Sequence, residues 1–253
     1  MTSANDIFEN LCALAPLELQ MSFDNSGFLF GRKNAGVTKA LLALDVTPAV
    51  VEEAIGLGAE LIVSHHPLIF SPLKSVTDEK LLRLAQHQIG VISMHTNLDI
   101  AQGGVNDRLA KALELIDPGP LENGLIRVGT LPQPMPLAEF VRFTAKALGC
   151  SGVRYADCGK PVFRVAVGGG ACGDFEEDVL RSGCDTFVTA DLSYHQFLNA
   201  PPKGLNLIDA GHFPTEDPIC QVLTDYLTGR FAGLNAEKST SHREVIQYYV
   251  EGD

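Results

Sequence analysis

The sequence lacks the features that mark membrane and secreted proteins. No apolar run reaches the roughly 20 residues that a transmembrane helix requires. Residues 1–10 contain no basic stretch followed by an apolar stretch, so no signal peptide is predicted. We therefore expect a cytoplasmic protein with no membrane contact.

Positive charge and paired cysteines are also scarce. The chain has 19 Lys and Arg residues against 31 Asp and Glu residues, a formal net charge of −12. Such a surface repels phosphate backbones, so nucleic acid is a poor candidate partner unless a local basic patch exists. None of the six cysteines belongs to a CxxC pair. We expect them to be small buried hydrophobic residues, with no thiolate metal ligands.

The composition that is present is typical of a soluble globular protein. Apolar residues make up 45% of the 253 residues and charged residues 20%, enough for one large domain or two small ones. Residues 117–136 are rich in Pro and Gly, which favours a boundary there. We predict an N-terminal α/β lobe over residues 1–125 and a C-terminal α/β lobe over residues 126–253, with the return of C-terminal residues to the first lobe left open.

Strand and helix patterns alternate along both halves of the chain. Thr47 is a predicted N-cap, with Pro48 at the first helical position. The main predicted strands cover residues 40–44, 61–63, 90–94, 163–167 and 205–208. The main predicted helices cover residues 49–56, 78–88, 105–115, 137–148 and 174–182. This alternation predicts two related α/β lobes, each with a mixed or mostly parallel sheet flanked by helices.

The two halves also resemble each other in residue order. In both, a strand, a helix and a second strand follow one another, and the second strand leads into polar residues. The matching positions are Gly58 and Gly183, Glu60 and Asp185, Val63 and Val188, Ser64 and Thr189, and His66 and Asp191. The pattern predicts a pseudo-duplicated protein.

Polar side chains follow three of the predicted strands, in residues 64–66, 95–99 and 209–216. In a parallel sheet, ligands gather beyond the carboxyl ends of the strands. His212 and Glu216 are four residues apart, as on one helical turn. His65 and His66 taken alone are equally well explained as two hydrogen-bonded loop residues, and the other two segments strengthen the metal interpretation.

Two or three imidazoles with two carboxylates suit Zn²⁺, Fe²⁺ or Mn²⁺, with Mg²⁺ as a further candidate. Five ligands exceed the needs of one tetrahedral ion, and a bridging carboxylate lets two ions share a site. The sequence therefore favours two divalent ions per subunit. The predicted metal ligands are His65, His66, Asp99, His212 and Glu216.

The remaining histidines have weaker signals. His95 lies beside the predicted ligands, and His195 follows another strand end, so both are candidate proton-transfer groups. A structural role is the alternative for each. His87 is expected on a helix surface, and His242 either at the surface or in the cleft.

A glycine-rich loop offers a competing interpretation. Residues 168–173 fit G-x-G-x-x-G after a predicted strand and before a helix, as in dinucleotide-binding proteins. The alternative is a loop that lets the backbone approach the cleft closely. Asp24 and Asn25 are typical of turn-forming residues, and Asp45 is a strand-end residue that could face the cleft.

Taken together, these segments resemble the GTP cyclohydrolase I type 2 homologues, also called the NIF-three-like dinuclear-metal proteins. They span almost the whole chain in order. The matching segments are 24–27, 44–47, 64–67, 95–99, 103–106, 165–170, 189–195 and 211–216. One departure is Ala190 before Asp191, where the family pattern has glycine.

The resemblance implies two α/β lobes that face each other across a dinuclear site. It implies His66 and Asp99 on one ion, His65 and His212 on the other, and Glu216 as the bridge. It also implies a ring-shaped homohexamer, in the compact form without an inserted domain between the lobes.

The leading functional hypothesis is a metal-dependent hydrolase that acts on a small molecule such as a nucleotide. The first alternative is a non-enzymatic metal-binding protein, a metallochaperone or an adaptor. The second is a nucleotide-binding oxidoreductase that uses the glycine-rich loop.

Overall fold

The computed structural model describes residues 2–122 and 124–249, and this part of the chain is an α/β protein with two mixed sheets. The helices are α1 Ala4–Leu14, α2 Pro48–Leu57, α3 Glu79–Gln86, α4 Thr96–Ile100, α5 Val105–Ala112, α6 Leu137–Leu148, α7 Glu176–Arg181, α8 Tyr194–Asn199, α9 His212–Glu216 and α10 Pro218–Arg230. The strands are β1 Gly27–Phe30, β2 Lys39–Ala43, β3 Leu61–Ser64, β4 Gly90–Ser93, β5 Ile116–Pro120, β6 Arg127–Met135, β7 Arg154–Ala156, β8 Val162–Val167, β9 Thr186–Thr189, β10 Asn206–Asp209 and β11 Asn235–Lys238.

Local signals determine several helix ends. The Thr47 hydroxyl accepts a hydrogen bond from the Val50 amide at 3.2 Å, and Pro48 begins α2, as predicted. Gly58 ends α2 in the left-handed region, with φ of 66°. The predicted bounds of α6 are the observed ones.

The first sheet has the strand order β1-β4-β3-β2-β11. Strands β4, β3, β2 and β11 run parallel, and β1 pairs antiparallel with β4 at one edge. Core residues of α2 and α3 pack on one face of this sheet, and α10 packs against β2 and β11. Because β2, β3 and β4 are parallel, their carboxyl ends lie at one edge, where the polar residues follow.

The second sheet has the strand order β5-β6-β8-β9-β10-β7. Its centre, β8-β9-β10, is parallel, and the remaining pairs are antiparallel. Val188 and Ile208 belong to the core on one face, whereas Phe187 and Leu207 belong to the core on the other. The sheet is therefore covered on both faces, as predicted for parallel strands.

The chain divides into two compact units. The first comprises Met1–Gln102 and Asp217–Arg243, and the second comprises Gly103–Glu216 and Glu244–Asp253. The predicted boundary after residue 125 lies inside the second unit, because α5 packs against β6 and β8. Asp217–Arg243, which contain α10 and β11, return to the first unit.

The Pro/Gly-rich stretch, which the sequence predicts to be a boundary, is largely regular structure. Residues 116–120 and 127–135 form two antiparallel strands of the second sheet. Proline is tolerated because β5 is an edge strand, and because Pro132 and Pro134 fall where the register of β6 with β8 shifts.

The predicted duplication appears in matching backbone contacts. The Glu60 carboxylate accepts hydrogen bonds from the amides of Thr38 and Lys39, at 3.1 and 2.9 Å. The Asp185 carboxylate accepts from the amides of Phe163 and Arg164 in the same way. In each unit a carboxylate before one strand therefore holds the start of its neighbour.

The described residues contain neither a membrane-spanning helix nor a disulfide. No helix among them is long and apolar enough to span a membrane. All six cysteines lie in the described part of the chain, and all are free thiols.

Candidate metal centre

His65 follows β3 at the carboxyl edge of the first sheet. Its amide still bonds to the Ala43 carbonyl, at 3.2 Å, so its backbone is held beside the end of β2. The buried ring places Nδ1 2.8 Å from the Met94 carbonyl oxygen. Because a carbonyl only accepts hydrogen bonds, Nδ1 carries the hydrogen and Nε2 carries the lone pair in the neutral ring. Nε2 lies 3.5 Å from Asp99 Oδ1.

His66 is oriented by a carboxylate from the neighbouring strand end. Its Nδ1 lies 2.8 Å from Asp45 Oδ1, and the other oxygen, Oδ2, lies 3.0 Å from His242 Nε2. Burial alone would raise the pKa of Asp45, but hydrogen bonds from His242 and His66 hold it well below its ordinary value. Asp45 is therefore an anion that fixes the His66 ring.

His95 lies directly beside His65 and His66. Its ring centroid lies 5.2 Å from that of His65 and 5.4 Å from that of His66. One ring nitrogen from each of the three lies within 4.8 Å of the others. The Asp24 carboxylate accepts from His95 Nδ1 at 2.8 Å and from the Thr96 amide at 3.0 Å. Burial alone would raise the pKa of Asp24, but hydrogen bonds from the side chains of His95 and Thr96 hold it well below its ordinary value.

Asp99 completes the group in the first unit. It lies in α4 and is 6% exposed. We call His65, His66, His95 and Asp99 the first ligand set. It combines three imidazoles with one carboxylate at the carboxyl ends of β3 and β4.

The second unit carries a smaller group on α9. His212 Nε2 lies 2.9 Å from Glu216 Oε2, one helical turn away, and Nδ1 lies 2.7 Å from Asp191 Oδ2. Burial opposes charge on the His212 ring, but the bonds to Glu216 and Asp191 raise its pKa to about 9. We call His212 and Glu216 the second ligand set. Two carboxylates, Glu216 and Asp191, flank the His212 ring and favour positive charge there.

The glycine-rich loop holds the second ligand set from behind. The Gly169 amide donates to Asn106 Oδ1 at 2.7 Å, and the Gly170 amide donates to Thr215 Oγ1 at 3.0 Å. A Cβ at position 170 would overlap Glu216 Oε1. The predicted close backbone approach is therefore present within this unit.

The same contacts argue against a dinucleotide site. A pyrophosphate at such a loop needs backbone N–H groups that point at it. The amides of Gly168, Gly169, Gly170 and Cys172 donate instead to protein oxygens. These four amides are therefore not directed at a phosphate, which weighs against the oxidoreductase alternative.

The other predicted positions separate into different surroundings. His195 is exposed on α8, with its ring 5.5 Å from that of Tyr194. His87 is an exposed C-cap residue of α3, as expected. The His242 side chain is only 6% exposed and lies against Asp45, so the surface alternative is wrong.

Sequence reasoning undervalues the residues that orient the histidines. The local pattern indicates only a turn for Asp24, a strand end for Asp45, and a counterpart of His66 for Asp191. Of these three carboxylates, only Asp45 has a sequence signal for its location beside the histidines, namely its position at a strand end. The partner of Asp24 is 71 residues away in the chain, a pairing that no local pattern encodes.

The donor chemistry of both sets fits divalent metal ions. Each of the four imidazoles has Nδ1 bonded to a carbonyl or carboxylate oxygen, which leaves Nε2 as the nitrogen that could bind a metal ion. Nitrogen and carboxylate donors without thiolate suit Zn²⁺, Fe²⁺ and Mn²⁺.

Comparison with known proteins adds a family to this geometry. A model of the family described as Duf34/NIF3 (NGG1p interacting factor 3) matches residues 2–244. A GTP cyclohydrolase 1 type 2 homolog of Clostridium perfringens is 36% identical over 228 residues, which cover 85% of this chain and 87% of that protein. One from Nostoc sp. is 40% identical over 229 residues, 84% of this chain and 86% of that protein.

Solved structures show the same fold. A hypothetical protein of Staphylococcus aureus has a TM-score of 0.89 at 28% identity and covers 98% of this chain and 99% of its own. Reduced HcgD from Methanocaldococcus jannaschii has a TM-score of 0.84 at 29% identity, with 94% of this chain and 97% of its own covered.

Proposed function

The chain belongs to the Duf34/NIF3 family, and from this premise we propose that it is a dinuclear metal-dependent hydrolase with a small, nucleotide-like substrate. The observation that carries the proposal is the common arrangement of three imidazoles, His65, His66 and His212. Each has Nδ1 bonded to an oxygen, which is how proteins prepare histidines as metal ligands. His95 has the same arrangement and is assigned a different role below.

The proposal assigns the ligands of two ions. His66 and Asp99 hold one ion, His65 and His212 hold the other, and Glu216 bridges them. The donor count supports sharing, because His212 and Glu216 alone offer fewer ligands than a divalent ion needs. The assignment requires the second ligand set to complete the first, and the homohexamer that the family resemblance implies is part of the same proposal.

The chemistry divides between the ions and the protein. Two bound ions would lower the pKa of a coordinated water and polarise the substrate. Met94, Asp45 and Asp191 hold the Nδ1 hydrogens of His65, His66 and His212, so that these rings do not reorient during a reaction.

His95 and His195 are the proposed proton-transfer groups. In the neutral His95 ring, Asp24 keeps the hydrogen on Nδ1, so Nε2 can take up a proton and release it. The exposure of His195 suits exchange of protons with solvent.

GTP is the first substrate to test, because the similar proteins are named GTP cyclohydrolase 1 type 2 homologs. Hydrolysis would add water at C8 of guanine and open the imidazole ring. Turnover is measured with Zn²⁺, Fe²⁺ or Mn²⁺ for the wild type, Glu216→Ala and the exposed control Glu177→Ala. Removing a partner behind a metal ligand already costs about 10- to 100-fold in activity, so we expect Glu216→Ala, which removes a proposed ligand, to lose more than about 100-fold in rate. We expect Glu177→Ala to match the wild type.

Two results would count against the hydrolase. Equal turnover by the wild type and Glu216→Ala would contradict the mechanism. Stoichiometric metal binding without turnover of GTP or other nucleotides would support the non-enzymatic alternative instead.

A further inference from the structure

The residues after β11 form a segment that reaches the first ligand set. Strand β11 runs parallel to β2, and the Ser239 amide donates to the Leu42 carbonyl at 2.7 Å. The chain therefore leaves the sheet at the same edge as β2, where Asp45 lies. We call residues 239–242 the strap.

Glu53 of α2 fastens the strap to the first unit. Its carboxylate accepts from the Thr240 amide at 2.9 Å, the Thr240 hydroxyl at 2.8 Å and the Ser241 amide at 3.1 Å. It also accepts from the Ser239 hydroxyl. Burial would raise the pKa of Glu53, but these bonds lower it to about 2. The strap is thus a fixed loop with a charged anchor.

The strap ends in a histidine that shares a carboxylate with a predicted metal ligand. The His242 side chain is 6% exposed, and its Nε2 lies 3.0 Å from Asp45 Oδ2. The other oxygen of Asp45 lies 2.8 Å from His66 Nδ1. One carboxylate therefore connects two imidazoles, one through each oxygen.

This connection matters because Asp45 is not fixed by burial. Its side chain is 44% exposed, so packing alone leaves its carboxylate room to rotate. The two imidazoles hold the carboxylate from both sides. Loss of His242 would leave Asp45 held by His66 alone, the group that it is supposed to orient.

We propose that His242 is a positioning residue for His66. By holding Asp45, it keeps the hydrogen of the neutral His66 ring on Nδ1 and keeps the Nε2 lone pair directed toward the ion. The partner on the second nitrogen of a ligating histidine sets ring orientation and ligand basicity. The importance for metal binding rests on the proposed function, whereas the effect on the His66 ring does not.

The first experiment reads the tautomer of His66 in the metal-free protein. Long-range ¹H–¹⁵N correlation spectra distinguish an Nδ1–H ring from an Nε2–H ring. We expect wild-type His66 to be the Nδ1–H form and His242→Ala to show a mixture. His242→Gln should restore the wild-type spectrum, because its amide nitrogen takes the place of Nε2 as a donor. His87→Ala, an exposed histidine of the same unit, is the matched control and should leave His66 unchanged.

The second experiment titrates the same variants with Zn²⁺. Loss of a partner behind a metal ligand weakens metal binding by about 10- to 100-fold. His242 is one step further from the ion, so we expect His242→Ala to weaken Zn²⁺ binding by about 10-fold. The loss should affect one ion and spare the other, because His66 is the proposed metal ligand that Asp45 orients. Affinities equal to the wild type together with an unchanged His66 spectrum would overturn the proposal.

Two outcomes keep this inference separate from the proposed function. A changed His66 spectrum in a protein that binds no metal in any variant would leave the positioning role intact and reject the dinuclear site. If His242→Ala does not fold, Glu53→Gln is the second variant, because it releases the strap while His242 remains. We expect its His66 signals to broaden and to show the same mixture of Nδ1–H and Nε2–H forms. Sharp, unchanged signals in Glu53→Gln and an unchanged spectrum in a donorless His242→Leu variant would contradict the proposal.

Discussion

Gly170 shows how closely single residues are fitted around the second ligand set. Its φ is +63°, a conformation that other residues rarely adopt. A Cβ there would overlap Glu216 Oε1 and would lie 3.1 Å from His212 Nε2. Glycine is required for two independent reasons, backbone conformation and space.

Gly170→Ala should therefore displace Glu216 and weaken metal binding. The matched control is Gly183→Ala, since Gly183 has a φ of +78° and a Cβ added there would meet nothing within 4 Å. Both variants should lose about 1 kcal/mol of unfolding free energy from backbone strain. Calorimetric Zn²⁺ titration should show weaker binding for Gly170→Ala only. Equal losses of affinity in both variants would mean that strain, and not the clash with Glu216, is responsible.

The residue scale also marks the limit of sequence reasoning. The strand-end position of His65 and His66 is predictable because they directly follow a strongly apolar strand. The role of His242 stays open from sequence alone, because its partner Asp45 is 197 residues away in the chain. Such pairs depend on which strands become neighbours, and the β2–β11 pairing has no local signal.

At the scale of elements, the repeated carboxylate clamp is a feature that both units share. Glu60 and Asp185 each precede a strand and accept amide hydrogens from the start of the neighbouring strand. Hydrogen bonds to an ionised acceptor are stronger than neutral ones. The Glu60 clamp fixes the register of β2 with β3, the strand that leads to His65 and His66. The Asp185 clamp fixes the register of β8 with β9, the strands that lead to the glycine-rich loop and to Asp191.

Glu60→Gln should destabilise the protein by about 1 kcal/mol at neutral pH, since the charged acceptor is lost. Burial raises the pKa of Glu60, but the bonds from Lys39 and Thr38 lower it below its ordinary value. This stabilisation is therefore complete above the unfolded pKa of about 4.3 and disappears as the pH falls through the lower folded pKa. Urea unfolding at pH 7 and at pH 3 measures it. A difference between wild type and Glu60→Gln that grows toward acid would contradict the assignment.

Element prediction succeeds where a local cap or an apolar run decides the structure. Helix α6 and the start of α2 are examples. It misses β5 and β6, because their proline content favours a boundary, whereas an edge position and a register shift make proline acceptable in these strands.

At the scale of the whole molecule, each unit places a ligand set at the carboxyl side of its sheet. The first set follows β3 and β4, and the second follows β10. The first unit also includes α10 and β11 from the end of the chain, which brings the strap to Asp45. The dinuclear proposal gives one reason for this organisation, because neither set alone supplies the ligands of two ions.

Metal content tests this account most directly. The wild type is purified without chelators, reconstituted with Zn²⁺, Fe²⁺ or Mn²⁺, and analysed for metal per chain beside Glu216→Ala and the control Glu177→Ala. We expect about two ions per chain in the wild type and the control, and a clear loss in Glu216→Ala, because a bridging carboxylate serves both ions. A ratio near zero in the wild type, or an unchanged ratio in Glu216→Ala, would contradict it.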